Sequence, residues 1–223
     1  MIPYPKDSAP VGSDLAVRPG ARAVRRAAGA GRKRLDDDRR DELLGKLQGM
    51  VLAEGFAGLT VDMLATRLQC SKSTLYALSS NRHHLVATAL KRFFHDAAEQ
   101  VEQEVAAVAD PAQQIAVYLA AVGRQMRRMS AACYDDMLDN DTTREIYTVN
   151  SLAATSRVRR MIHAGVESGD FRAVHAEFVS QAVGLLIDGI HSRELLASTG
   201  LSSGDAFIEL SDLVLGAVSK TPR

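Results

Sequence analysis

Proline nearly vanishes after Pro111, while Ala and Leu dominate a chain that has 5 % aromatic residues and no Trp. Proline is the residue that interior helix turns tolerate least, and strands favour β-branched and aromatic side chains. The composition therefore suits helices and suits strands poorly, and the expected class is all-α. With 223 residues and 46 % apolar content, the chain can bury a sizeable core. No apolar run approaches the roughly 18 residues of a membrane span, and the N-terminus lacks the apolar centre of a signal peptide. Cys70 and Cys133 stand too far apart in sequence for a disulfide framework or a metal-ligand spacing. A reducing, cytoplasmic setting is expected, with no membrane partner.

The net charge is zero, yet it is unevenly distributed. Residues 1–92 carry 16 Lys/Arg against 9 Asp/Glu, a net +7, and residues 93–223 carry 11 against 18, a net −7. A basic front joined to an acidic back fits a nucleic-acid reader fused to a different module. Most of the excess lies in residues 1–34, with 8 basic and 2 acidic side chains, so a solvated tail explains it equally well. That segment has no apolar period and is expected to be a disordered basic arm. Its cluster of Arg22, Arg25, Arg26, Arg32, Lys33 and Arg34 can follow a DNA backbone or stay in solvent.

A helix is expected from near Leu35 to Glu54, ended by Gly55. Thr60 is a good N-cap, and Val61, Leu64, Ala65 and Leu68 then recur at helical spacing over two turns. Gln69 and Cys70 break the pattern. Ser71 can cap a third helix whose Leu75 and Leu78 point inward. Two short helices across a tight break have the dimensions of a helix-turn-helix, whose second helix enters the major groove. Its outward side chains here are Lys72, Ser73, Thr74, Tyr76 and Ala77. Lys72 can donate to guanine or phosphate, Ser73 and Thr74 to either partner, and the Tyr76 phenol to phosphate. On spacing alone, an ordinary helical bundle accounts for the same pattern.

The string Gly55-Phe56, Leu59-Thr60-Val61, Leu64-Ala65, Ser71-Lys72-Ser73-Thr74-Leu75-Tyr76, Asn81-Arg82 and Leu85 resembles the N-terminal domain of the TetR family of transcriptional regulators across residues 40–92. The resemblance implies a three-helix DNA-binding domain at 35–82 joined to a larger helical domain at 83–223 that binds a small molecule and dimerises. By position, Thr60, Tyr76 and Arg82 correspond to phosphate-contacting residues, and Ser71, Lys72, Ser73 and Thr74 to the start and face of the recognition helix. Three positions depart from the family pattern. Gln69 stands where the turn often has Gly, Ser79 where an aromatic residue is common, and Val61 where some members carry a polar DNA contact. Gln69 and Ser79 also motivate an alternative, a helical small-molecule-binding protein with a degenerate DNA-binding module.

Beyond Pro111, helices are expected near 111–129, 132–139, 143–168, 176–197 and 204–219. The last two are apolar on more than one face, so each must bury more than one face. One thick monomeric core satisfies that requirement; a homodimer through 176–197 and 204–219 also does, and it spaces two recognition helices along a palindromic operator of double-stranded DNA. Tyr118, Met126, Met129, Tyr134, Met137, Tyr147 and Leu152 are the candidate lining of a ligand cavity, since Met and Tyr adapt to varied apolar molecules. Each also suits an ordinary core. The six histidines show no metal-site spacing, and no phosphate loop, nucleophile elbow or Cys–His couple occurs. No cofactor, no metal and no enzymatic activity are expected. The expected function is a repressor released from its operator by a small-molecule ligand.

Overall fold

In the computed structural model, the described residues are 21–220 for the backbone and 37–220 for the side chains. They form ten α-helices and no strand. Contacts divide the chain into two units, Met1–Asp41 and Glu42–Arg223, and the packing that follows concerns the second. Helix α1 spans Ala21–Glu54. It starts well before Leu35, because the Ala- and Arg-rich run from residue 21 consists largely of good helix formers. The expected arm thus overlaps α1 from residue 21 onward, and residues 1–20 lie outside the described ones. Gly55, at φ +79°, ends α1 in the left-handed conformation that glycine adopts at least cost.

Helix α2 (Val61–Arg67) and α3 (Lys72–Leu78) follow, and α4 (Arg82–Ala106) leads away from them. Each start is capped as its sequence suggests. Thr60 Oγ1 accepts from Met63 N at 3.2 Å, Ser71 Oγ from Thr74 N at 3.0 Å, and Asn81 Oδ1 from His84 N at 2.9 Å. Leu47, Val51, Leu64, Leu75 and Leu85 are fully buried and join α1–α4 in a common core.

The remaining helices are α5 (Pro111–Met126), α6 (Ala131–Asp139), α7 (Asp141–Glu167), α8 (Ala176–His191), α9 (Glu194–Thr199) and α10 (Ser203–Val218). The helix expected at 176–197 is two. The chain breaks at Arg193, whose φ of +66° is left-handed, and the Arg193 guanidinium reaches Asp135 at 3.2 Å and Asp139 at 3.1 Å. A continuous helix cannot contain that backbone conformation, and the two ion pairs accompany it. Likewise α5 stops at Met126 rather than near 129, in a tight turn at Arg127–Met129.

Helices α5 and α10 make the closest pairing. A Cβ at Gly123 would stand 2.7 Å from the Gly204 carbonyl oxygen, so only glycine permits this approach. Ser211 Oγ donates to Ala116 O across the same seam at 2.7 Å, which satisfies a buried hydroxyl. Among the described residues, no helix is long and apolar enough to cross a membrane.

Candidate nucleic-acid interface and ligand cavity

The turn between α2 and α3 is set by its hydrogen bonds. Gln69 N donates to Thr66 O at 3.2 Å and Cys70 N to Ala65 O at 3.0 Å, the two bonds of a Schellman motif. That motif requires a left-handed residue, and Gln69 supplies it at φ +52°. The expected difference in turn chemistry is therefore real. Gln69 holds the conformation glycine usually takes, at some steric cost, and the helix-turn-helix connection is kept.

Around α3 the side chains separate by face. Leu75 is fully buried and Leu78 half-buried, while Lys72, Ser73 and Ala77 are exposed and Tyr76 is 51 % exposed. Thr74 is half-buried. Ser71 Oγ lies 2.7 Å from Ser73 Oγ and 2.8 Å from Thr74 Oγ1, so the three hydroxyls form one cluster at the helix start. Met63 on α2 is also largely exposed. Sequence reasoning passed over it, because an apolar residue on an amphipathic helix reads as core.

Electrostatically this surface differs from expectation. The Lys72 ammonium pairs with Asp62 of α2, which holds its pKa above the ordinary lysine value, chiefly through that hydrogen bond. Arg67 pairs with Glu54. Arg82, expected at the flank as a phosphate contact, turns inward instead. Its Nη2 donates to Phe56 O and, at 3.1 Å, to Ala57 O. The Phe56 carbonyl also accepts from Leu59 N at 3.2 Å, and the guanidinium at the start of α4 adds a donor to it and to the Ala57 carbonyl. Arg82 thereby holds the α1–α2 turn in place.

The same turn is held from a second side. Asp136 of α6 accepts from Phe56 N and, at 2.7 Å, from Ala57 N with one oxygen, Oδ2. A Cβ at Gly55 would stand 2.6 Å from that oxygen. Ser130 N, at the cap of α6, donates to Leu52 O at 2.8 Å. Asp136 thus links α6 to the base of the helix-turn-helix.

Helices α4, α5, α7, α8 and α10 enclose a cavity of about 290 Å³. One end is aromatic. Phe94 and Tyr147 have centroids 6.1 Å apart, Tyr147 and His191 4.9 Å, and His191 and Phe207 6.4 Å. Burial holds the His191 imidazole down to about 4, so it is neutral near pH 7. The other end is charged, with Glu102, Arg157 and Arg160, and burial pushes the Tyr118 phenol beside them up to about 12. Arg157 binds Glu102 in a fork, Nε to Oε1 at 2.9 Å and Nη2 to Oε2 at 3.1 Å.

Of the candidate lining residues, Tyr118, Met126 and Tyr147 face this cavity. Met129 and Tyr134 line a separate hollow beside Arg193 and Leu201, and the Tyr134 and Tyr147 hydroxyls lie 3.1 Å apart. Met137 is fully buried core. Leu152 is no lining residue: it is 61 % exposed, because its position on α7 faces away from the helices that bury Ser151. Phe93, Phe94, His191 and Phe207 were not anticipated. Their signal was the apolar stripes of α4, α8 and α10, which do not distinguish a core from a cavity wall. Among the described residues, no cluster of three His, Cys, Asp or Glu side chains could hold a metal ion.

Many solved structures share this fold. A transcriptional regulator from Saccharomonospora viridis, in complex with choline, matches 83 % of this chain and 100 % of its own at 18 % identity and a TM-score of 0.64. A TetR transcription regulator from Haloarcula marismortui matches 82 % and 98 % at 15 % identity and a TM-score of 0.63. The chain has the TetR-family fold. A TetR-family regulator from Streptomyces coelicolor matches 90 % of this chain and 98 % of its own at 19 % identity and a TM-score of 0.60. No family model and no curated protein matches by sequence. In the TetR-family fold, α2 and α3 of this chain form the helix-turn-helix, and α4–α10 the larger helical part.

Proposed function

We propose that this protein is a non-enzymatic transcriptional regulator that binds double-stranded DNA as a homodimer and leaves its operator when a small molecule fills the α4–α10 cavity. The observation that carries the reading is the helix-turn-helix itself. Both helices are capped, the turn is closed by a Schellman motif at Gln69, and α3 buries Leu75 while presenting Lys72, Ser73 and Tyr76 outward. Residues 35–82 are read as the DNA-binding part and 83–223 as the part that binds ligand and dimerises. The Ser71 hydroxyl caps α3, and Thr60, which caps α2 by accepting from Met63 N, is read as a phosphate contact. Arg82 acts by bracing the turn that carries α2.

The cavity supports the second half of the reading, and the choline held by the Saccharomonospora viridis protein is an example of a small molecule on this fold. Coupling is supported by α4, a single 25-residue helix that has Arg82 at its start and cavity-lining residues from Phe93 onward. Asp136 provides a second link. A ligand that favours one position of α4 or α6 biases the turn they hold, and so the placement of α3. A reader of DNA works where the DNA is, which in a bacterial or archaeal cell is the cytoplasm.

The test is selection of duplexes from a random pool by the full chain. Recovery of a two-fold symmetric motif, bound with an affinity that falls steeply with salt, supports the reading. Recovery of no motif overturns it in favour of a small-molecule-binding protein whose DNA module is inactive.

A further inference from the structure

The cavity has a direction, and that direction specifies a ligand. Within its lining, the stretches Phe94–Glu102 on α4 and Tyr147–Arg157 on α7 join the aromatic end to the charged end. At 1.5 Å per helical residue these stretches are about 12 and 15 Å long. Phe94 lies against Tyr147 at one end, and Glu102 is bonded to Arg157 at the other. The cavity is therefore an elongated slot. Its middle is walled by small side chains, Ala97, Val101 and Ala154.

The two ends differ in chemistry. At the aromatic end, the ring cluster has no charged member, since His191 is neutral near pH 7. One face of Phe93 is already occupied, with the Arg128 guanidinium carbon 5.5 Å from the ring centroid. At the charged end, two arginines face one carboxylate. Arg157 satisfies Glu102 through both of its oxygens, and Arg160, one turn further along α7, has no ion-pair partner among the described residues. The mouth thus carries one uncompensated guanidinium, and an anion is what it can bind in a planar fork.

We infer that the slot takes an elongated amphipathic anion, with its apolar end among Phe94, Tyr147 and Phe207 and its carboxylate or phosphate at Arg160. The inference rests on the reading of this cavity as the regulator's ligand site. An extended chain advances about 1.2 Å per bond, so a slot of this length accommodates about ten bonds. Glu102 opposes the anion and tunes its affinity: it repels the headgroup and keeps Arg157 occupied.

Calorimetric titration of the full chain, without DNA, with decanoate, decyl phosphate, decan-1-ol and decyltrimethylammonium tests this. One of the two anions is expected to bind about tenfold or more tightly than the alcohol and the cation. The tighter anion identifies the headgroup. Arg160→Gln is expected to remove most of that advantage and leave the alcohol unchanged, and Glu102→Gln to tighten the anion. Both positions are at the mouth rather than in the core, so the variants should fold, and opposite signs from the two cannot come from general destabilisation. Tighter binding of the cation, equal binding of all four probes, no binding, or an Arg160→Gln variant that keeps full anion affinity overturns the inference. Because no DNA is present, these results stand apart from the outcome of duplex selection.

Discussion

Lys72 and Asp62 lie at the centre of the proposed reading surface, and each limits the other. Their ion pair is exposed on both sides, so solvent screening leaves it contributing little to stability. Its effect falls on DNA. A phosphate or base that takes Lys72 must displace Asp62, and the carboxylate itself repels the backbone. Asp62→Asn is therefore expected to tighten DNA binding about two- to fivefold and to steepen its salt dependence by about one counterion, with little change in melting temperature. Fluorescence anisotropy across a salt series reads both quantities; unchanged affinity and slope would place Lys72 away from the DNA. The identities of Lys72 and Tyr76 were legible in the sequence, and their exposure on α3 agrees with the apolar spacing. The pairing of Lys72 with Asp62, and the inward turn of Arg82, were not. Both depend on how α2, α3 and the α1–α2 turn meet in space, which local pattern does not encode.

The short turn Gly55–Ala57 is clasped by two other elements. Arg82 at the start of α4 takes its carbonyls, and Asp136 of α6 takes its amides. Asp136→Ala leaves the partly buried Phe56 amide without its acceptor, at a cost of about 1–3 kcal/mol. If this clasp transmits the state of the cavity, the variant should also bind DNA with a weaker response to ligand. Chemical denaturation reads the first effect, and DNA titration with and without the best-binding decyl probe reads the second. A variant with normal stability and normal ligand response would reduce Asp136 to a surface charge. The helices themselves were largely readable from caps and breakers: Thr60, Ser71, Asn81 and Asp110 each accept the bond their type favours. The break at Arg193 escaped, because no glycine or proline stands at it and the partners of Arg193 lie in α6, more than fifty residues earlier in the chain. The cavity escaped in part for the same reason. Phe93 and Phe207 look alike as core residues until the helices around them are placed.

At the scale of the whole molecule, the outer faces of α8 and α10 remain apolar. Phe178 is 71 % exposed, Leu185 72 % and Leu213 60 %. Phe178 and Leu185 are two turns apart on one face of α8, opposite the buried Val183, Ile187 and Ile190. Such a face marks an interaction surface, and a second copy of the same two helices covers it in the proposed dimer. Phe178→Asp combined with Leu185→Asp is expected to convert a dimer to a monomer by light scattering and to abolish binding to a two-fold duplex. A dimer of unchanged mass would place the interface elsewhere. The most direct measurement of the central claim is a titration of the full chain with its best-selected duplex and with a scrambled duplex of the same composition at the same salt. The account predicts that the selected duplex binds about a thousandfold more tightly or better and that Lys72→Ala weakens that binding. Equal affinity for the two duplexes would contradict it.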